Sequence, residues 1–233
     1  HHMVVVTSTV MPGSMDNELK PVIEKSSGKV AGLDFGFCYN PEFIALGSVV
    51  SDMLHPDVVL IGESDTDSGD WLERFYRSVV DNDPVYKRMR CIEAEVTKLA
   101  INTYVTTKIS YANMVAELCE KLPNANSDVV LSAVGSDSRI GNKYLRGGTA
   151  YGGPCFPRDN RAFTALGEQL DSCTALASAT DYLNVYQAER VANWTCKIAL
   201  PGRDVIGILG LSYKFGTPVT ANSQGIALAR KLS

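Results

Sequence analysis

The alternation of apolar and polar positions predicts strands and helices in turn along the first third of the chain. Val4-Val5-Val6 is a β-branched run that leads into a turn at Pro12-Gly13, and a helix is expected at about residues 14–26. Residues 30–34 and 58–62 are further apolar runs bounded by turn residues, which predicts two more strands. A strand, a helix and a strand in this order indicate parallel α/β layering.

The rest of the chain is predicted to be mainly helical. Residues 70–80 carry apolar side chains at helical spacing, and Asp83-Pro84 ends this helix. After a short strand at 85–89, residues 93–122 contain neither proline nor glycine, so the longest helix is expected there. Further helices are predicted at about 126–134, 161–170, 174–200 and 223–232, and a buried strand at 205–211.

Composition narrows the class of protein. With 45% hydrophobic and 21% charged residues and a net charge of -4, the chain is an ordinary globular sequence without the basic footprint of a nucleic-acid-binding protein. No apolar run is long enough to span a membrane. The six cysteines form no CxxC pair, which argues against a metal site and a disulfide framework and favours the reducing cytoplasm. His1-His2-Met3 resembles a remnant of a purification tag and is left out of the predicted fold.

A glycine-dense loop at residues 147–159 is the strongest candidate for chemistry. It presents Cys155 and, four residues later, Asp159. Glycine allows a ligand to approach the backbone closely, and the prolines on either side of the cysteine stiffen the chain. Arg158 would favour a thiolate, and Asp159 would act as a general base or orient a water. The alternative is a cysteine that is simply a small buried apolar side chain.

A second candidate set lies on the longest helix. Glu95, Lys98 and Asn102 are three and four residues apart, so their side chains share one helical face. Such a trio is either part of a catalytic surface or a charged face in contact with water.

Two turns in the first third complete the candidates. Ser8-Thr9-Val10 precedes Pro12-Gly13, and Asn40-Pro41-Glu42-Phe43 precedes Leu46. The Thr9 hydroxyl could instead cap the next helix, and Glu42 could be a solvated carboxylate in a turn.

These motifs together resemble the UDP-glucose/GDP-mannose dehydrogenase family over almost the whole chain. Ser138-Arg139-Ile140-Gly141, followed by Gly-Gly-x-x-Tyr-Gly-Gly-x-Cys-Phe-Pro-Arg-Asp, looks like the family's active-site loop, and Glu-x-x-Lys-Leu-x-x-Asn looks like its catalytic helix. The resemblance implies an NAD-dependent enzyme that oxidises the C6 alcohol of a nucleotide sugar to a carboxylate. It also implies a homodimer that works in the cytoplasm, with no nucleic acid or membrane as partner.

The resemblance also implies an α/β fold in three parts. Residues 1–83 would be the later part of an NAD-binding domain with a partial Rossmann-like parallel sheet. Residues 84–201 would be a helical central domain for dimerisation that carries the cysteine loop, and residues 202–233 the first strand and helix of a second Rossmann-like domain, which binds the nucleotide sugar. Nothing before Val4 supplies a Gly-x-Gly-x-x-Gly turn for the pyrophosphate, so the chain is expected to be a fragment that is inactive alone.

Site residues follow from the matched motifs. Cys155 would form a thiohemiacetal and then a thioester, and the other catalytic residues would be Lys98, Asn102, Asp159, Glu42 and Thr9. The residues expected at the cofactor are Ser8, Thr9 and Arg158. The residues expected at the substrate are Phe43, Arg139, Tyr144, Tyr151, Gly152 and Lys214. No metal is expected.

The chain departs from the family pattern at two positions. Leu46 stands where many members have a second glutamate, and Ala221 stands where the family has an arginine that engages substrate. The departures put in doubt the hydrolytic step, the usual substrate contacts and the identity of the nucleotide sugar.

Two alternatives stay open. The chain could be a non-catalytic dimerisation or interaction module of the same family. It could also be a β-hydroxyacid-dehydrogenase-like enzyme, which uses a Lys/Asn pair but needs no cysteine. Thiol dependence of the reaction separates the last alternative from a nucleotide-sugar dehydrogenase.

Overall fold

A computed structural model describes residues 2–200 and 202–233. The chain forms two compact units, unit 1 at residues 1–100 and unit 2 at residues 101–233. Pro201, which the sequence predicts to end a helix, lies outside the described residues. The predicted domain boundaries at 83/84 and 201/202 stay predictions.

Unit 1 contains a four-stranded sheet. Its strands are β1 (His2–Val6), β2 (Phe35–Tyr39), β3 (Val58–Glu63) and β4 (Val85–Arg90), in the order β1-β2-β3-β4. Strands β1 and β2 pair in parallel, as do β3 and β4, but β2 and β3 pair antiparallel through Cys38 with Glu63 and Tyr39 with Gly62. The predicted parallel pairing is confirmed for β1 with β2 and for β3 with β4 and is wrong for β2 with β3, because the direction of a strand depends on the path of the preceding loop.

Helices connect the successive strands of this sheet. Unit 1 has α1 (Lys20–Ser27) after a wider turn at Met15–Leu19, then α2 (Val49–Leu54) and α3 (Thr66–Val79). Helix α1 ends at Gly28, whose φ of 67° suits a left-handed cap, as the sequence predicts. Helix α3 begins four residues earlier than predicted because the Asp65 side chain accepts the N–H of Ser68 and so starts the helix there.

The core of unit 1 lies on both faces of the sheet. All five residues of β2 are buried, and alternate side chains point to opposite faces. Phe37 and Tyr39 pack with Met15 on one face, whereas Cys38 packs with Ile61 and Leu72 on the other. A strand buried on both faces has no polar alternation, which is why its pattern is hard to recognise.

Two predictions for unit 1 are wrong. Residues 30–34 form a turn, in which the Asp34 carboxylate accepts the N–H of Val30 at 2.8 Å and Gly32 has a φ of 82°, so the strand starts only at Phe35. His2 and Met3, left out of the predicted fold as part of a tag, lie in β1 and pair with Phe35 and Gly36.

Helix α4 (Cys91–Lys121) begins in unit 1 and continues into unit 2, where most of the structure is helical. The other helices are α5 (Ser127–Ser136), α6 (Phe156–Gln169), α7 (Ala175–Ile198) and α8 (Gln224–Leu232). Helix α7 packs against α6 and α8. All of these helices were predicted, but α6 begins five residues early because Pro157 suits the first turn of a helix.

The strand predicted at 205–211 is wrong. These residues are irregular, and Val205 and Leu209 are 98% and 100% exposed. A strand needs a neighbouring strand to pair its backbone groups, and the part of unit 2 that the structure describes contains no other strand. None of the described helices is both long and apolar enough to cross a membrane.

Arg88 on β4 is surrounded by carboxylates. Its Nε donates to Glu63 at 2.8 Å, and its other nitrogens contact Asp70 and Glu73. The hydrogen bonds that Arg88 donates raise the pKa of its guanidinium above the ordinary value. The bond to Asp70 has the larger effect and the bond to Glu63 the smaller. We expect Arg88→Met to lower the free energy of unfolding by about 2 kcal/mol, because three carboxylates lose their shared cation. Urea titration measures the change.

Arg74→Met is the matched control for this prediction. Arg74 lies on α3 and is exposed, so its replacement should change the free energy of unfolding by less than about 0.5 kcal/mol. Equal effects of the two substitutions would contradict a stabilising role of the Arg88 network.

Candidate functional site

The turn after β1 carries Ser8 and Thr9 and is held by a residue from α4. The backbone N–H groups of Gly13 and Met15 donate to the Glu95 carboxylate at 2.7 and 2.8 Å. Glu95 is only 1% exposed, so burial raises its pKa above the ordinary value, against the effect of these two hydrogen bonds. The interpretation of this helical face as a solvated charged surface is therefore wrong.

Lys98, one turn further along α4, is bound to the loop after β2. Its Nζ donates to the carbonyl oxygen of Glu42 at 2.5 Å and lies 4.4 Å from the centre of the Phe43 ring. Lys98 is 7% exposed, so its ammonium group is buried against this loop. The predicted residues Lys98, Glu42 and Phe43 are thus close together in unit 1.

Asn40 ties the start of the same loop to the sheet. Its Nδ2 donates to the Leu60 carbonyl at 2.9 Å, and its Oδ1 accepts the Tyr76 hydroxyl at 2.5 Å. Glu42 itself is half-buried. The burial of Tyr76 is the main cause of its raised pKa, and the nearby Glu42 carboxylate raises this pKa further. A cleft of about 310 Å³ lies beside Glu42, with Asp52, His55 and Tyr76 in its wall.

In unit 2, side-chain amides hold the cysteine loop by its backbone. Asn113 accepts the N–H of Gly148 at 2.9 Å, and Gln187 donates to the Gly148 carbonyl at 2.5 Å. Asn184 bonds both backbone groups of Tyr151, at 2.9 and 3.0 Å. Because these bonds replace water on an irregular segment, the loop has a defined conformation without being a helix or strand.

Glycine is required where this loop passes close to another segment. A Cβ at Gly152 would lie 2.4 Å from the Asn222 carbonyl oxygen, and one at Gly153 would lie 2.6 Å from the Tyr213 ring. The N–H of Gly153 donates to the Ala221 carbonyl at 2.9 Å. Position 221 therefore contributes its backbone to the loop although its side chain is only a methyl group.

Cys155 lies directly before the first turn of α6 and is exposed. The positive end of a helix dipole stabilises negative charge at such a position. Asp159, one turn later, is fully buried, accepts from Asn102 Nδ2 at 2.6 Å and pairs with Arg158 at 2.8 Å. The structure thus brings together the predicted residues Asn102, Arg158 and Asp159, one helical turn after Cys155 in the chain.

A half-buried carboxylate, Asp181 on α7, was missed by the sequence analysis. Its Oδ1 accepts the Tyr151 hydroxyl at 2.7 Å and the Asn160 amide at 3.0 Å. Burial raises the pKa of the Tyr151 hydroxyl, and its hydrogen bond to the Asp181 carboxylate raises this pKa further. Tyr151, expected at the substrate, is 5% exposed and directs its hydroxyl to this carboxylate.

The sequence does contain a pattern that groups Asp181 with the two side-chain amides of α7 that bind the cysteine loop. Asp181, Asn184 and Gln187 are three residues apart on α7, and so form a polar stripe on one face. A polar stripe on an amphipathic helix is normally solvated, so only the position of α7 against the cysteine loop gives this one its meaning.

The remaining predicted substrate residues are not joined to these groups. Arg139 pairs with Asp137 at 2.6 Å, and its side chain is 85% exposed. Tyr144 is 52% exposed and has a φ of 65°. Lys214 is half-buried, and its carbonyl accepts the Ser212 hydroxyl at 3.0 Å.

The turn after β1 has groups that suit a dinucleotide. Ser8 and Thr9 present hydroxyls just beyond the carboxyl end of β1, which pairs in parallel with β2. Dinucleotides bind at the carboxyl ends of parallel strands, where hydroxyl and backbone groups contact them. Among the described residues, no three His, Cys, Asp or Glu side chains are placed to hold a metal ion.

The thiols differ in accessibility in a way that labelling detects. We expect iodoacetamide at pH 8 to modify the exposed thiols of Cys155, Cys173 and Cys196 in the native protein. Cys38, Cys91 and Cys119 are buried, and burial raises the pKa of both Cys38 and Cys91 to about 12, so these three should react only after unfolding. Peptide mass spectrometry identifies the modified residues, and rapid labelling of native Cys38 would contradict the structure.

The same two buried thiols predict a pH dependence of stability. Their pKa is higher in the folded than in the unfolded protein, so unfolding releases protons above pH 9. The contribution of the two protonated thiols to the free energy of unfolding is complete below pH 9 and is lost as the pH rises towards 12. The melting temperature should therefore fall over this range.

Tyr151→Phe tests the contact with Asp181. We expect it to lower the free energy of unfolding of unit 2 by about 1 kcal/mol, the net contribution of one hydrogen bond. Denaturant titration followed by helix signal measures this. Tyr144→Phe is the control, since Tyr144 is exposed and should show no effect. A Tyr151 variant as stable as the wild type would mean that the hydroxyl is free to contact a ligand.

Comparisons with known proteins identify the relatives of this chain. The UDP-glucose/GDP-mannose dehydrogenase family matches the chain twice, with its NAD binding domain at residues 1–80 and its central domain at residues 92–186. GDP-mannose 6-dehydrogenase of Pseudomonas aeruginosa is 34% identical over 233 residues, which are 99% of this chain and 52% of that protein. UDP-glucose 6-dehydrogenase AglM of Haloferax volcanii is 35% identical over 235 residues, 99% of this chain and 54% of that protein.

A solved structure adds the same relationship in three dimensions. UDP-glucose dehydrogenase from the hyperthermophilic archaeon Pyrobaculum islandicum superposes with a TM-score of 0.89 at 36% identity, covering 99% of this chain and 52% of that one. The chain therefore spans about half the length of the relatives it matches. With two of the family's domains matched in order, the chain belongs to the UDP-glucose/GDP-mannose dehydrogenase family.

Proposed function

We propose that this chain carries the thiol chemistry of a nucleotide-sugar 6-dehydrogenase of the UDP-glucose type, which oxidises the C6 alcohol to the uronic acid. The observation that carries the proposal is an exposed Cys155 directly before α6, with the buried Asp159, which Asn102 holds, one helical turn later. A buried carboxylate beside an accessible thiol at a helix N-terminus is an arrangement that supports nucleophilic catalysis. The relatives are named as 6-dehydrogenases of UDP-glucose and GDP-mannose.

Two hydrides leave the substrate in this reaction, and NAD supplies the hydride acceptor when bound. After the first oxidation, the Cys155 sulfur adds to the aldehyde carbon, and the aldehyde oxygen takes a proton to give a thiohemiacetal. Loss of the second hydride and of that proton gives a thioester. Water then replaces the sulfur, which leaves a carboxylate and restores the thiol. The covalent bond keeps the aldehyde from escaping between the two oxidations.

The other residues are proposed to manage charge and protons. Asp159 activates the water that attacks the thioester, with Glu42 as a second carboxylate for proton transfer. Lys98 and Asn102 stabilise negative charge on the reacting oxygen, and Lys98 is an alternative base for the alcohol. Thr9 is proposed both as a catalytic residue and, with Ser8, as a contact of the cofactor. Arg158, which pairs with Asp159 at 2.8 Å, is the third proposed cofactor contact.

The substrate contacts are proposed on the resemblance of the motifs alone. Phe43, Arg139, Tyr144, Tyr151, Gly152 and Lys214 remain the proposed set. The half-buried Leu46 and the methyl side chain of Ala221 remove a carboxylate and a guanidinium that the family pattern places near the substrate. We therefore assign the nucleotide-sugar class and leave the sugar and the base to experiment.

A homodimer in the cytoplasm is part of the proposal. Large apolar side chains are exposed on two long helices of unit 2, with Tyr104 63%, Leu118 56% and Trp194 59% exposed. A second copy of the chain would remove such surface from water. All six cysteines are free, which suits a reducing compartment.

The stoichiometry of the reaction tests the proposal. We expect the protein expressed from the complete reading frame that contains this sequence to reduce two NAD per nucleotide sugar, because oxidation passes through the aldehyde to the acid. Absorbance of NADH and chromatography of the product measure both quantities. Cys155→Ser should lower acid formation by at least about 10²-fold while the melting temperature stays unchanged.

Cys196→Ser is the matched control, since Cys196 is also exposed but lies near the end of α7. Release of free aldehyde after one NADH would contradict the covalent route. Oxidation of a hydroxy acid that survives Cys155→Ser would favour a β-hydroxyacid-dehydrogenase-like enzyme, and no turnover of any nucleotide sugar would favour a non-catalytic module.

A further inference from the structure

Glu95 uses both of its carboxylate oxygens on the turn after β1. Oε2 accepts the N–H of Gly13, and Oε1 accepts the N–H of Met15. Both donors lie at least 80 positions before Glu95 in the sequence. The side chain is 1% exposed, so water does not compete for these bonds. Both oxygens thus accept main-chain N–H groups of the turn, so the effect of Glu95 is on the backbone of the turn.

The turn needs this acceptor because its own residues do not supply one. A helix usually begins with a side chain that caps the first free N–H groups, but Ser14 makes no side-chain cap bond here. Gly13 has a φ of 98°, a conformation accessible mainly to glycine. The conformation of residues Gly13 to Met15, which follow Ser8 and Thr9 in the same connection, therefore depends on a contact with α4.

The next turn of α4 holds a second loop, in this case through a hydrogen-bond donor. Glu95 accepts from the turn after β1, whereas Lys98 donates to the Glu42 carbonyl in the loop after β2 at 2.5 Å. Three residues along a helix correspond to a rise of about 4.5 Å. A rigid helical segment thus sets the position of one loop relative to the other within unit 1.

We propose that Glu95 is a positioning residue, which holds the Ser8–Thr9 turn in register with Lys98 for the proposed oxidation. The inference rests on the proposed function, since it assigns the hydroxyls of this turn to the cofactor side of the reaction. A misplacement of about 1 Å lowers a rate by up to about 10²-fold even when the mutation that causes it lies away from the reacting atoms.

Glu95→Gln tests the proposal with little change of shape. The amide oxygen still accepts one N–H, but the NH₂ group faces the other donor, so one of the two bonds is lost. We expect exchange of the Gly13 and Met15 amide hydrogens to become at least about 10-fold faster. In the complete protein, kcat should fall by about 10- to 100-fold, while iodoacetamide labels Cys155 at the wild-type rate.

Glu93→Gln is the matched control. Glu93 lies on the same helix, and its carboxylate also accepts a backbone N–H, that of Arg90 at 2.9 Å, but it does not contact the turn after β1. The control removes the same charge and should leave kcat and the exchange of Gly13 and Met15 unchanged. If Glu95→Gln does not fold, Glu95→Asp repeats the test, since it keeps the charge but is too short to reach both donors.

The outcomes separate this inference from the proposed function. Unchanged exchange at Gly13 and Met15 overturns it, whatever the activity. Faster exchange with an unchanged kcat also overturns it, because the contact would then only stabilise the fold. A wild-type protein that oxidises no nucleotide sugar overturns the proposed function and the positioning role with it, while exchange still shows whether Glu95 holds the turn.

Discussion

Polar side chains buried on α4 hold the loops that carry the candidate chemistry. Glu95, Lys98 and Asn102 are 1%, 7% and 7% exposed, and each hydrogen-bonds to a different loop or helix start. A buried polar or charged group destabilises the fold unless it has a hydrogen-bond partner. A loop that moved away would leave the α4 side chain without its partner, so these contacts keep the loops in place. The requirement to satisfy them explains why the loops after β1 and β2 are ordered without regular structure.

The cysteine loop solves the opposite problem, since its thiol must stay accessible while its backbone is fixed. Side-chain amides from α4 and α7 bond the backbone around Gly148 and Tyr151, and Asp181 holds the Tyr151 hydroxyl. Cys155 comes after these anchors, at the start of α6, and remains exposed. Rigid support on one side and an open face on the other is what a nucleophile needs, because its attack is rapid only from a fixed geometry.

The two departures from the family pattern have different structural consequences. At position 221 the backbone carbonyl still bonds the N–H of Gly153, so the support of the loop does not depend on the missing arginine side chain. At position 46 a leucine stands in place of the carboxylate, so Glu42 is the one acidic residue within residues 40–48, and the Asp52 carboxylate bonds this loop from α2. The changes therefore bear on ligand contacts and proton transfer more than on the fold.

The sequence by itself determined most of the helices and the candidate nucleophile, but not the short helix α2, and only the tertiary structure decided the sheet and the roles of buried polar groups. Helix limits depend on local caps such as Asn126, Ser223 and Gly28, which can be read from neighbouring residues. The direction of β2 relative to β3, and the irregular state of 205–211, depend on pairing with distant segments. Likewise, the spacing of Glu95 and Lys98 showed one shared face but could not show what covers it, because burial is a property of the neighbours that folding brings there.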